Sequence, residues 1–128
     1  MKKKDYITTW IAKADGDLKV AERELSASDS VLDAVCFHLQ QAVEKLTKAF
    51  LSNEMKDIRK THNLLFLLEQ CIKIDDEFKK FEKEFDLISE CSVEIRYPDS
   101  FLVLEKSELQ DVLPKVKEFR EFVLSKIT

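Results

Sequence analysis

The chain has 128 residues, 45% apolar and 36% charged, with a net charge of −4. That is one domain's length, too apolar for a disordered chain and too charged for a membrane protein. One Gly and two Pro leave little material for hairpin turns, so long helices are expected, and the acidic balance disfavours general duplex nucleic-acid binding.

In the first segment, 5–25, Trp10, Ala14, Leu18, Ala21 and Leu25 follow each other at steps of three and four, and Ile7 and Ile11 widen the stripe. This is the period of an amphipathic helix. Asp15-Gly16-Asp17 interrupts it chemically, but the apolar face continues on both sides, so one helix is predicted. The polar run Ser26 to Ser30 ends it and offers N-caps for the next.

The second helix is predicted over 31–51. Val35, Leu39, Ala42, Val43, Leu46, Ala49 and Phe50 share one face. His38, Gln41, Lys45 and Lys48 form a polar stripe beside it, and Phe37, Gln40 and Glu44 fall on the far side. Phe37 reads either as ordinary exposure or as a dimer contact. A charged connection then leads to Thr61, a candidate N-cap for a short helix over 62–72. Leu64, Leu65, Leu67, Leu68, Cys71 and Ile72 make that helix apolar on most sides, so it is expected to be the most buried. After Asp75-Asp76, Phe78, Phe81, Phe85 and Ile88 form a narrow seam suited to a groove between neighbours.

Residues 91–100 show no helical signal, and Pro98 biases Tyr97 toward extended backbone. The last helix is predicted over 107–126, with Leu109, Val112, Leu113, Val116, Phe119 and Val123 on one side and a kink at Pro114. The sum is an all-α fold: a single domain over 1–128, an antiparallel up-and-down bundle of four to five helices.

The basic start, Met1 to Lys4, runs straight into Asp5 with no apolar run behind it, unlike a signal peptide. No stretch approaches the roughly 20 apolar residues of a membrane span. Cys36, Cys71 and Cys91 are an odd number without a CxxC pair; buried, reduced thiols in a cytoplasmic protein are expected. There is no Gly-rich phosphate loop, no HExxH, no zinc spacing and no GxSxG elbow. Neither a metal nor a cofactor is expected.

Two polar clusters remain. The first runs from Phe37 to Lys45. Gln41 and Lys45 read either as a helix flank whose stems cover the core edge, or as a partly buried row that bonds a neighbouring loop or a phosphate. The second is Glu94 to Asp99. There Arg96 and Tyr97, on a segment pinned by Pro98, suit gripping a phosphate and stacking on a base. The alternative pairs Arg96 with a helix carboxylate and packs Tyr97 as a lid.

Taken together, these stretches resemble the HEPN family, the higher eukaryote and prokaryote nucleotide-binding domain. The resemblance rests on Ala14, Asp17-Leu18 and Ala21, then Phe37-His38-Leu39-Gln40-Gln41-Ala42-Val43-Glu44-Lys45 with Lys48-Ala49, then Thr61-His62-Asn63-Leu64 with Leu67, and finally Arg96-Tyr97-Pro98. It spans about residues 5 to 125. It implies a helical bundle, commonly a homodimer, paired in many prokaryotes with a small nucleotidyltransferase in a toxin–antitoxin-like module. Some members are metal-independent ribonucleases with an Arg followed four to six residues later by His. Arg96 matches that Arg, but no histidine follows His62. Cleavage through an RNA 2′-hydroxyl wants a group that titrates near neutrality, which His supplies and Tyr does not.

The resemblance therefore implies a non-catalytic domain. Arg96, Tyr97, Lys45, Gln41 and His38 are its candidate residues for a nucleotide phosphate or a partner, and RNA is the less favoured ligand. Two alternatives stand beside it: an endoribonuclease toxin with a degenerate motif, and a plain helical scaffold.

Overall fold

In the computed structural model, residues 3–54, 56, 60–91 and 104–127 are described. They form five α-helices, α1 (Lys3–Ser26), α2 (Leu32–Asn53), α3 (Leu64–Ile74), α4 (Glu82–Ser89) and α5 (Lys106–Lys126), with a 3₁₀ segment, Asp76–Phe81, leading into α4. The chain is an all-α bundle, and no strand occurs among the described residues. No described helix is long and apolar enough to cross a membrane.

Helix α1 is unbroken through Asp15-Gly16-Asp17, and Ala14, Leu18, Ala21 and Leu25 are buried along it as the periodicity predicts. The start of α2 differs from expectation. Val31 is its N-cap residue and makes no side-chain cap. Ser30 turns back instead, donating to the carbonyls of Leu25 (3.1 Å) and Ala27 (2.7 Å). Glu24 takes the Val31 N–H at 2.9 Å. The serine cluster closes α1 rather than opening α2, because a hydroxyl can satisfy either orphan carbonyls behind it or orphan N–H groups ahead.

The N-cap of α3 is Asn63, not Thr61; its side chain accepts from the Phe66 N–H at 3.0 Å. Nor is α3 the most buried helix: Leu65 and Phe66 are exposed, while Leu64, Leu67, Leu68 and Cys71 face the core. Apolar content around a helix does not bury it when neighbours cover only one side. The Phe78–Phe81 spacing of three suits the 3₁₀ turn, in which side chains three apart eclipse. Asp75 caps it by accepting from the Glu77 N–H at 3.0 Å.

Helix α2 packs against every other α-helix but most extensively against α1. Asp17 meets His38 and Lys45, and Trp10 meets Lys48. Residue numbers thus run in opposite senses, so α1 and α2 are antiparallel. Asp15 with Arg120 and Glu22 with Lys117 make α5 antiparallel to α1 as well. Helix α5 continues through Pro114, and its predicted apolar face is buried.

The Phe78–Phe81–Phe85 seam does enter a groove, between α2 and α5. Phe78 stacks on Phe50 (ring centroids 4.5 Å apart) and Phe122 (4.9 Å), Phe81 on Phe119 (4.9 Å) and Phe85 on Phe119 (5.2 Å). Tilted and edge-on ring pairs of this kind add to the area they bury.

The cysteines require a correction. Cys36 of α2 and Cys91, just past α4, are joined in a disulfide with Cα atoms 5.1 Å apart; only Cys71 is free, and it is buried. Spacing in the sequence carries no information on which thiols converge across 55 residues. Burial pushes the Cys71 thiol far above its ordinary range, so it is inert as a nucleophile.

Candidate functional site

The predicted polar stripe of α2 lies along its contact with α1. Ala14 and Ala21, fully buried, let the two backbones approach. Asp17 lies between them on the same side of α1, at spacings of three and four. Its carboxylate meets two predicted residues: His38 through Nδ1 at 2.8 Å and the Lys45 ammonium at 2.6 Å. Two turns earlier on α1, the Trp10 ring faces the Lys48 ammonium, 5.4 Å from the ring centroid. The Trp10 indole N–H is buried without a hydrogen-bond partner among the described residues.

A second row follows on α2 at steps of four: Gln40, Glu44 and Lys48. Glu44 and Gln40 were expected on the far side of the helix. They are 3% and 2% exposed, and Lys48 is 1% exposed. The Glu44 carboxylate accepts from Gln40 (3.2 Å), Lys48 (3.2 Å) and Nδ1 of His62 (3.1 Å). Gln41 donates to the Gln40 side-chain oxygen at 2.8 Å, joining the predicted stripe to this buried row. A buried carboxylate needs such company, since a carboxylate taken from water unpaired is very costly.

His38, Gln41 and Lys45 thus share one face. Lys45 bonds α1 rather than a loop. Arg96 and Tyr97 lie outside the described residues, as does the rest of the second cluster. Sequence reasoning missed Asp17, His62 and Trp10 as parts of the network, and it put Lys48 on the stripe with His38, Gln41 and Lys45, whereas Lys48 is interior beside Gln40 and Glu44. The signals that could have found some of them were an acid set between two core alanines and the Glu44/Lys48 spacing of four, which allows an ion pair on one helix.

The electrostatics are balanced. Asp17 offsets Lys45, and Glu44 offsets Lys48, so with neutral imidazoles these groups bring no surplus charge. Both imidazoles are held the same way. Each gives Nδ1 to a carboxylate, and neither Nε2 has a hydrogen bond among the described residues. His38 is 28% exposed and His62 is 65% exposed. The edge of the Phe37 ring stands against the His38 ring, centroids 5.2 Å apart, and Phe37 itself is exposed. No group of three or more His, Cys, Asp or Glu able to hold a metal ion occurs among the described residues.

Comparison with curated proteins and with solved structures finds no match. A family model described as HEPN domain matches residues 7–127, nearly the whole chain, including every residue of the network just described. The all-α bundle agrees with that match, and the chain belongs to the HEPN domain family.

Proposed function

We propose that this HEPN domain is a non-catalytic binding module. It pairs with a small nucleotidyltransferase, in the manner of a toxin–antitoxin couple, and takes a nucleotide phosphate at the α1–α2 polar face. The observation that carries this reading is a face sealed from within and open at its rim. Glu44 is buried and accepts from buried Gln40 and Lys48, whereas His38, Gln41 and Lys45 stay partly accessible. Because Asp17 already balances Lys45, a bound phosphate needs a further positive partner, and we assign that role to Arg96 on the chemistry of its side chain, since a planar guanidinium suits bidentate phosphate contacts. Tyr97 beside it supplies a ring for the base. The absence of any histidine after His62 removes the family's own ribonuclease pairing and favours binding over turnover. Exposed Phe37, at the start of the same face, is the contact offered to a second copy of the chain.

The test is a pull-down of the tagged chain from its native cells, followed by the same measurement with Arg96→Ala. A stoichiometric nucleotidyltransferase is expected with the parent chain and a weakened complex with the variant, at unchanged melting temperature. A chain that elutes alone as a homo-oligomer would sink the pairing. A variant that binds as before would remove Arg96 from the site.

A further inference from the structure

The buried polar row of α2 has a sulfur at its head. Cys36, Gln40, Glu44 and Lys48 follow one another at steps of four, so they share one face of the helix. Cys36 is fully buried, and so is Cys91, the residue bonded to it. With the two Cα atoms 5.1 Å apart, the chain leaving α4 sits directly at the head of that row.

The bond joins elements of unequal strength. Helix α2 has 22 residues and packs against every other α-helix. Helix α4 has 8 residues, no side-chain cap at its N-terminus, and only Phe85 and Ile88 buried. A helix that short does not hold together without its tertiary ties. At its C-terminal end those ties are the disulfide and the Cys91 N–H, which donates to the Ile88 carbonyl at 2.8 Å. The rest of the fold does not need the bond. A chain of 128 residues buries roughly two thirds of its unfolded surface. A reduced cysteine at either position is a small apolar side chain that suits an interior. Breaking the bond therefore strands no charge in the core, and its loss falls on the weakest element.

We propose that Cys36–Cys91 is a reversible redox latch. As a disulfide it clamps the end of α4 at the head of the Gln40–Glu44–Lys48 row; as a dithiol it lets that end lift while the bundle stays folded. The reductant is a dithiol, small or carried by a protein. One of its thiolates attacks a sulfur of the pair, the S–S bond breaks, and the released cysteine takes up a proton. The second thiolate of the reductant then displaces the mixed disulfide, freeing the other cysteine and leaving the reductant as its own disulfide. Two electrons and two protons pass to the pair. Neither sulfur is exposed, so the end of α4 must lift before each exchange. The inference is independent of the binding reading above.

Cys71 is an internal reference, because it is fully buried on α3 and lies outside the bond. The experiment uses the full chain at pH 8 without denaturant, reduced with dithiothreitol or oxidised with glutathione disulfide. After the reagent is removed, an alkylating label is applied and its uptake at each cysteine is followed by mass spectrometry. Circular dichroism reports the helix content. The helical signal should be kept in both states. In the reduced chain Cys36 and Cys91 should be labelled about tenfold faster than Cys71 or more, the mark of an opening smaller than global unfolding. Glutathione disulfide should restore the bond in an unlabelled sample. Cys91→Ser should keep its helices and label Cys36 as the reduced parent does, with no reductant present.

Loss of the helical signal in the reduced parent or in Cys91→Ser would make the bond a structural staple and overturn the inference. Labelling of all three cysteines at one rate, or of Cys71 first, overturns it as well, since α4 then does not lift by itself. Cys36 and Cys91 that stay free under glutathione disulfide overturn it at the first step.

Discussion

Replacing Glu44 with Gln keeps the side chain's shape and removes its charge, and the cost should be large. The carboxylate serves Gln40, Lys48 and His62 from a position 3% exposed to solvent. A hydrogen bond to a charged group contributes about 1.5–3 kcal/mol, and breaking a buried pair by removing one partner costs about 3–5 kcal/mol. Within that range we expect Glu44→Gln to cost about 3 kcal/mol. Unfolding entropy of about 2.1 cal/mol/K per residue gives about 0.27 kcal/mol/K for the 128-residue chain. The melting temperature should then fall by about 11 °C.

Adding Lys48→Met to Glu44→Gln removes the ammonium that faced the carboxylate. The double variant should recover at least half of the loss, since an apolar replacement of a buried pair is often close to neutral. Differential scanning calorimetry on the parent, both singles and the double measures all four corners. A drop under about 3 °C for Glu44→Gln, or a double variant as unstable as the sum of the singles, would refute the view that these two charges stabilise one another.

Three further outcomes are expected. Gly16 is exposed inside α1, with nothing within 4 Å of where a Cβ would stand, so Gly16→Ala should stabilise by about 0.5–1 kcal/mol in urea titration; a destabilised variant would contradict an undistorted helix there. The Lys126 ammonium, with the Glu77 backbone N–H, holds the Asp75 carboxyl below its ordinary range, and Asp75 with Glu77 holds Lys126 above its own. The stabilisation from Asp75 is present above its unfolded pKa and lost as pH falls through its lower folded value. That from Lys126 is present below its unfolded pKa and lost as pH rises through its higher folded value. Lys126→Met should therefore lower the melting temperature across pH 5 to 9 and match the parent once pH falls well below the ordinary carboxylate range; a deficit that persists in acid would assign the effect to packing on Phe122. Finally, thiol labelling of the unfolded, unreduced chain should modify Cys71 alone, and reductant should release Cys36 and Cys91. Closing 55 residues gives about 4 kcal/mol in the chain-entropy model, so reductant should also lower stability; three reactive thiols without reductant would show the bond absent.

The Trp10–Ala14–Leu18–Ala21–Leu25 and Leu109–Val116–Phe119–Val123 stripes were legible in the sequence because an amphipathic period is a local property. Each residue's face follows from its number. The phenylalanine seam was legible for the same reason, and so was the stripe of His38, Gln41 and Lys45. Caps were less so: the side chains of Ser30, a donor, and Asn63, an acceptor, choose between competing backbone groups within a few residues, and that choice depends on where the chain turns.

What the sequence determined by itself is the all-α fold, the faces of its helices and, through the ordered runs from Ala14 to Pro98, the family. Only the tertiary structure decided that Asp17 joins His38 to Lys45, that Glu44 and Lys48 are interior charges, that His62 hangs on Glu44, and that Cys36 meets Cys91. The physical reason is reach. Helical period assigns a residue to a direction around its own axis, whereas an ion pair, a tautomer or a disulfide depends on distances of a few ångströms between helices that only packing sets.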